Sequence, residues 1–174
     1  MTTIDLIVLG IIKQKPLSAY DIQKEVEYRH ISKWVKISTP SVYKKVLQLE
    51  EKGYIKGTPT KESNMAEKLV YSLTISGEKV FEDLMLGIST QPINIFLDLN
   101  SVIVNLKSIS KEKQNICLNN IEESIKKMKQ NLIDNMNAKD NNESVSEMGK
   151  TVLHQQFILV EAIEKWIKEI REDV

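Results

Sequence analysis

Within eleven positions, from 38 to 48, this 174-residue chain places Ser38, Thr39, Ser41, Tyr43, Lys44, Lys45 and Gln48. Hydroxyl and ammonium groups at that density suit phosphate oxygens, and an amide or ammonium can also read base edges in a DNA major groove. The surroundings carry matching charge. Arg29 to Lys68 holds nine basic and four acidic side chains, a surplus of five, inside a chain of zero formal net charge. Residues 88–174 hold 11 basic and 13 acidic ones. A local basic field in a neutral chain can steer a polyanion. The same lysines would also make an ordinary solvated surface, and charge alone favours that plainer reading.

Other chemistries lack their residues. No nucleophile–base–orienter set, glycine-rich phosphate loop or pair of catalytic carboxylates can be assembled, so no enzymatic activity is expected. His30 and His154 lie far apart with no Cys/His/Asp cluster beside either, so neither a metal nor a cofactor is expected. The single cysteine, Cys117, flanks an apolar stripe and cannot form an internal disulfide. No apolar run reaches the roughly 18 residues needed to cross a bilayer. The run Ile4–Ile12 is interrupted by Asp5 and follows no basic segment, unlike a secretory signal. Together these features point to a cytoplasmic protein.

To act together, the residues from Ser38 to Gln48 must share an element. Thr39 as N-cap, Pro40 at the first helical position and Gly53 just past the end delimit a helix. Val42, Val46 and Leu49 recur at i, i+4, i+7 and form its buried stripe. The free face then carries Ser41, Lys44, Lys45 and Gln48, with Ser38 and Thr39 at an N-terminus suited to a phosphate. Tyr43 projects near Ser41 and Lys44, where a partly buried hydroxyl could support the turn. Before this helix, Ile4–Lys13 is apolar nearly all round and predicts a central helix stopped at Pro16. Ser18 caps a second helix with Ala19, Ile22 and Val26 inward. His30–Ile37 reads as a loop. After Gly53, Tyr54-Ile55-Lys56 and the alternating run Leu69–Thr74 predict two strands around a polar loop, and Thr74 caps a helix to about Leu86. Helix, helix, helix, hairpin, helix is the order of a winged helix-turn-helix, whose third helix enters a groove of duplex DNA. Its wing would bring Lys61 and Lys68 to neighbouring phosphates.

Gly87–Gln91 reads as a linker that divides a winged domain, residues 1–87, from a helical one, residues 88–174. In the second, Pro92 is expected to open a helix through Lys107. Ser110 caps a longer helix with the stripe Leu118, Ile121, Ile125, Met128, Leu132 and Met136, and Asn137–Asn142 turns the chain. The last helix carries Val145, Met148, Val152, Leu159, Ile163, Trp166 and Ile170, the three-four spacing of a coiled-coil seam, with Gln155 and Gln156 interrupting it. The expected fold class is mainly α with a small β-hairpin: an N-terminal winged helix-turn-helix and a C-terminal helical, coiled-coil-like dimerisation domain. Phe96, Leu99, Val152, Leu159, Ile163, Trp166 and Ile170 form the expected interface of a homodimer. Trp34 and Trp166 offer stacking surfaces for an aromatic effector, with interface packing the plainer role of Trp166.

Four ordered segments resemble the PadR-like regulators. They are Leu9-Gly10, then Leu17 to Ile22, then Pro40-Ser41-Val42-Tyr43 with Val46, Leu49-Glu50 and Gly53-Tyr54-Ile55, and then Tyr71 with Leu73-Thr74 and Gly77. The resemblance covers residues 4–80. The helical second half is similar in architecture to the larger subfamily with a C-terminal dimerisation domain. The resemblance implies a homodimeric repressor on a partly palindromic double-stranded operator, and for Tyr43 a contact to the DNA backbone, about as well supported as a hydroxyl that only supports the turn. Because some family members respond to phenolic acids or hydrophobic drugs, it also admits a small hydrophobic or aromatic effector, at an unassigned site. The chain departs from the family pattern at Ala19, where glycine is usual, and at Glu67-Lys68, where paired arginines often precede the second strand. The second departure bears on the wing's grip on DNA, not on the fold.

Two rival readings stand beside this one. A winged helix can bind a protein partner and never touch DNA; such a face should be apolar or acidic, where here Ser, Lys and Gln are expected. A MarR-like regulator places dimer helices at both ends of the winged domain, whereas this chain starts only a few residues before its first helix.

Overall fold

The computed structural model describes residues 1–61, 68–140 and 146–173. It divides into two compact units, Met1–Ile93 and Asn94–Val174.

The first unit is built around α1 (Thr3–Gln14). As its all-round apolar sequence requires, this helix packs on α2 (Ala19–Tyr28), α3 (Pro40–Glu51), the hairpin and α4 (Ile75–Ser89). Val8, Leu9, Ile11 and Ile12 of α1 join Ile22, Val26, Ile31, Val42, Val46, Leu49, Ile55 and Tyr71 in one buried cluster. Ser18 caps α2, its Oγ accepting the Asp21 N–H at 3.2 Å. Thr74 caps α4, its Oγ1 accepting from Gly77 at 3.1 Å. Within the expected loop His30–Ile37 a short 3₁₀ turn, Ile31–Lys33, buries Ile31.

Strand β1 (Ile55–Thr60) pairs antiparallel with β2 (Lys68–Leu73), from Ile55 opposite Leu73 to Thr60 opposite Lys68. β1 thus runs four residues into the expected polar loop. Pro59 is tolerated there because β1 is an edge strand, where a missing N–H costs no ladder bond. On the other side of β2, Leu17 and Tyr71 exchange backbone hydrogen bonds of 3.3 and 2.9 Å, a one-residue bridge the alternation pattern did not signal. Gly77 marks a close approach: a Cβ there would lie 1.9 Å from the Tyr54 carbonyl oxygen. Helix α4 continues through Gly87 to Ser89, so the expected linker begins inside a helix.

The second unit holds α5 (Leu99–Asn105), a 3₁₀ turn (Leu106–Ser108), α6 (Lys111–Asp140) and α7 (Glu147–Asp173). Pro92 does not open a helix. Residues 93–97 are irregular and α5 starts only after Asp98. The β-branched Ile93 and Ile95 are poor helix formers, and Ile93 and Phe96 are 93% and 87% exposed, so no burial compensates. α6 and α7 run antiparallel, as Glu122 pairs with Arg171, Lys129 with Glu164, and Leu132 packs with Leu153. α6 extends to Asp140, through most of the expected turn; residues 141–145, including Val145, lie outside the described residues.

The seam of α7 differs from expectation. Its buried positions are Leu153, Val160 and Ile167, one every heptad. Ile163, Trp166 and Ile170 flank that line and pack on the cluster of Leu106, Leu118 and Ile167, while Leu159 and Met148 are exposed. On α6 the stripe holds except at Met128, which faces out. Lys129 sits beside the seam instead, 3.1 Å from Glu161, 2.9 Å from Glu164 and over the Phe157 ring. Gln156 does interrupt the seam, and its buried Nε2 has no hydrogen-bond partner among the described residues.

Candidate nucleic-acid interface

Among the described residues, helix α3 brings the expected hydroxyl, ammonium and amide groups onto one element. Its termini hold it firmly. Pro40 occupies the first position and Thr39 the N-cap, although the Thr39 side chain makes no cap bond; Ser41 Oγ donates to the Ser38 carbonyl. At the far end Gly53 adopts φ 72°, the Gly53 N–H donates to Glu50 at 2.8 Å and the Tyr54 N–H to Leu49 at 3.0 Å. This pair of bonds satisfies the last carbonyls and turns the chain into the hairpin.

Val42, Val46 and Leu49 are sealed in the core. At about 100° per residue, Lys44 and Glu51 lie opposite that stripe, Leu47 and Gln48 stand about 130° from its centre on either side, and Lys45 only about 65°. Exposure follows this geometry. Tyr43, Lys44, Leu47 and Glu51 are exposed, and Ser41 and Gln48 are half-buried on one flank. Ser38 is exposed and Thr39 half-buried at the N-terminal end. Leu47 and Glu51 were absent from the expected face, and counting around the helix finds both.

Lys45 is not on the free face. Its ammonium lies 3.0 Å from Asp5 Oδ1 on α1, with the two side chains 19% and 4% exposed. Asp5 Oδ2 also accepts from the Thr2 N–H at 2.6 Å and the Thr2 hydroxyl at 3.0 Å. Burial alone would raise the Asp5 pKa, but the Thr2 and Lys45 hydrogen bonds and the Lys45 charge outweigh it and hold the carboxyl below its usual value. Lys45 therefore ties α3 to α1.

A second tie joins α3 to the wing. Glu50 Oε1 accepts the Gly57 N–H at 3.0 Å. The Tyr71 hydroxyl titrates higher than an ordinary tyrosine, because of burial first and then the charge and hydrogen bond of Glu50. Of the expected wing contacts, Lys61 is exposed at the end of β1. Lys68 is partly exposed and lies 3.7 Å from Asp21, which offsets part of its charge. The tip, residues 62–67, lies outside the described residues. On α2, Tyr20 is 61% exposed and Lys24 lies over its ring at 4.8 Å. Among the described residues no group of three or more His, Cys, Asp or Glu side chains could hold a metal, and no helix is long and apolar enough to cross a membrane.

The expected dimer residues separate into two sets. Leu99, Ile163, Trp166 and Ile170 cover their own chain's cluster, and Val152 is half-buried. Phe96 and Leu159 stay exposed, at 87% and 38%.

Comparison with known proteins bears on the class. Residues 8–83 match the model of the transcriptional regulator PadR-like family. No curated protein matches the chain by sequence. Solved structures match along nearly its whole length. Bacillus subtilis PadR in complex with operator DNA is 19% identical, with a TM-score of 0.81 over 97% of each chain. The PadR-like transcriptional regulator BC1756 from Bacillus cereus is 19% identical, with a TM-score of 0.74 over 98% of this chain and 97% of that one. The Vibrio cholerae virulence activator AphA is 18% identical, with a TM-score of 0.72 over 98% and 97%. The resemblance carried by the four sequence segments is thereby borne out over residues 8–83, and the chain shares with these structures a fold of a winged helix-turn-helix followed by further C-terminal helices.

Proposed function

We propose that the chain is a sequence-specific duplex-DNA-binding regulator of the cytoplasm, a repressor acting as a homodimer on a partly palindromic operator. The observation that carries this reading is the face of α3. In a PadR-like unit whose recognition helix seals the core with Val42, Val46 and Leu49, the opposite side leaves Tyr43 and Lys44 to solvent, with Ser41 and Gln48 beside them. Lys44, Lys61 and the α3 N-terminus, with Ser38 and Thr39, would hold phosphates. Gln48 would bond an adenine edge. Lys68, half engaged with Asp21, would contribute less.

The second unit would supply the dimer. Ile116, Met128, Ile158, Leu159 and Phe96 remain uncovered by their own chain, and a two-fold copy would bury them. A dimer places two recognition helices about 34 Å apart, one turn of DNA. Response to a small aromatic acid would be a second layer of this function; one neighbour is Bacillus subtilis PadR in complex with p-coumaric acid. That layer is checked by titrating the acid against the DNA complex.

The main test is selection of duplexes from a random-sequence pool on the full chain, followed by affinity against salt. A two-fold consensus should emerge, and log affinity should fall linearly with log salt. Lys44→Ala should weaken all duplexes alike and reduce the slope by about one. No enrichment, with no salt-dependent binding, would refute the reading and favour a protein-docking winged helix.

A further inference from the structure

Leu47 is the exposed aliphatic side chain of α3, one turn after the exposed Tyr43 on a surface that is otherwise polar. It is 45% exposed, one turn after Lys44, beside Gln48 and one turn before Glu51. A single exposed leucine is common on protein surfaces. This one stands midway along the free face of the helix that the reading above sets against DNA, on the flank opposite Gln48. The ends of that face fix how it approaches. Lys44 lies toward the N-terminal end, which attracts phosphates, and the exposed Glu51 carboxylate repels them at the other. The segment between them, residues 44–48, would then lie deepest in the groove.

An isobutyl group at that depth has few favourable neighbours. In the major groove the base edges present hydrogen-bond donors and acceptors, apart from the C5-methyl of thymine. Against an amino or carbonyl edge, Leu47 would displace water from a polar group and give it no partner, a net cost. Against a methyl it buries apolar surface on both sides. Gln48, about 100° around the helix, would face a neighbouring base pair.

We infer that Leu47 is a specificity-determining residue that selects thymine, through its C5-methyl, at one position of each half-site. The inference rests on the DNA-binding reading, and its test separates the two. The duplex consensus selected on the full chain is resynthesised with each thymine replaced in turn by deoxyuridine, which deletes the methyl and leaves base pairing intact. One buried methyl corresponds to roughly fourfold in affinity. One thymine per half-site should therefore lose roughly fourfold with the unmodified chain. Leu47→Ala should bind thymine and deoxyuridine duplexes equally, at about the unmodified chain's affinity for the deoxyuridine duplex. Alanine favours helix and the side chain is partly exposed, so an unchanged circular dichroism spectrum verifies the variant's fold. Salt-dependent binding that is insensitive to deoxyuridine at every position overturns the assignment and leaves the DNA reading standing; Leu47 would then serve a protein partner or none. Undiminished deoxyuridine sensitivity in Leu47→Ala overturns it too, since another residue would hold the methyl. Failure to enrich any duplex removes both readings.

Discussion

Two adjacent lysines on one helix should behave in opposite ways. Lys44 is exposed, whereas Lys45 is 19% exposed and 3.0 Å from an Asp5 carboxylate that is 4% exposed. Replacing Lys45 by methionine keeps the length and apolar stem of the side chain and removes the charge. Asp5 is then left buried with only the two Thr2 hydrogen bonds. Removing one partner of a fully buried pair costs about 3–5 kcal/mol; Lys45 keeps some solvent, so about 2–3 kcal/mol is expected here by the same principle. Lys44→Ala, on an open face, should stay within about 0.5 kcal/mol. Two units in one chain make a global melt ambiguous, so the assay is native-state hydrogen exchange of the α1 and α3 amides in the full chain. Lys45→Met should lower their protection by about 30- to 150-fold, since about 1.4 kcal/mol is tenfold, and leave α6 and α7 unaffected. Wild-type protection in α1 and α3, together with a salt slope of DNA binding reduced by one unit, would refute the reasoning and return Lys45 to the free face.

The same pair gives a pH dependence. The Asp5 pKa is held below its ordinary 3.8 in the folded chain, so its contribution is fully present above that value and is lost as pH falls through the lower, folded one; Asp5→Asn should flatten the acid limb of α1 protection measured from pH 5 downward. Gln156→Leu should raise protection of the α6 and α7 amides by about 5- to 30-fold, because it removes a buried donor that has no partner among the described residues and whose desolvation costs about 1–2 kcal/mol. Glutamate at two neighbouring α7 positions should give different failures. Leu159→Glu, at a position 38% exposed, should yield a folded monomer by light scattering, whereas Ile163→Glu puts a charge against the Leu106–Leu118–Ile167 cluster and should lose helical signal as well. A dimeric Leu159→Glu chain would move the proposed interface away from this face.

The fold was legible where local chemistry and burial agree. The all-round apolar α1, the caps Ser18 and Thr74 and the Gly53 stop each combine a residue type with a fixed position, and the structure uses all four as expected. Legibility failed where tertiary contacts decide. The Leu17–Tyr71 bridge is one residue long and has no period to detect. Helix α4 passes through Gly87, where a glycine lowers propensity without breaking the helix. In the second unit nearly every second or third residue is apolar, so more than one stripe fits the three-four spacing. Only packing on α6 selects Leu153, Val160 and Ile167 over the neighbouring line through Leu159.

The site was legible by residue type and less so by direction. Residue types on α3 suggested a polar, basic face, yet the same helical period that found Val42, Val46 and Leu49 places Lys45 near the core and Leu47 away from it. What remains invisible in sequence is the pairing itself. Asp5 stands forty residues before Lys45, and nothing in either local pattern joins them. The pairing has a consequence for how such a helix could read DNA. Base discrimination requires side chains held in place against a groove, and a helix anchored only by an apolar stripe can still roll by small angles. Lys45 ties one flank of α3 to α1, and Glu50 ties the other to the root of the wing through Gly57. Two polar ties on opposite flanks resist rotation about the helix axis, and rotation would swing Lys44, Leu47 and Gln48 together out of register with the base edges. On this argument the charged residues of α3 divide between those that would meet phosphate and those that orient the helix, and Lys45 belongs to the second group.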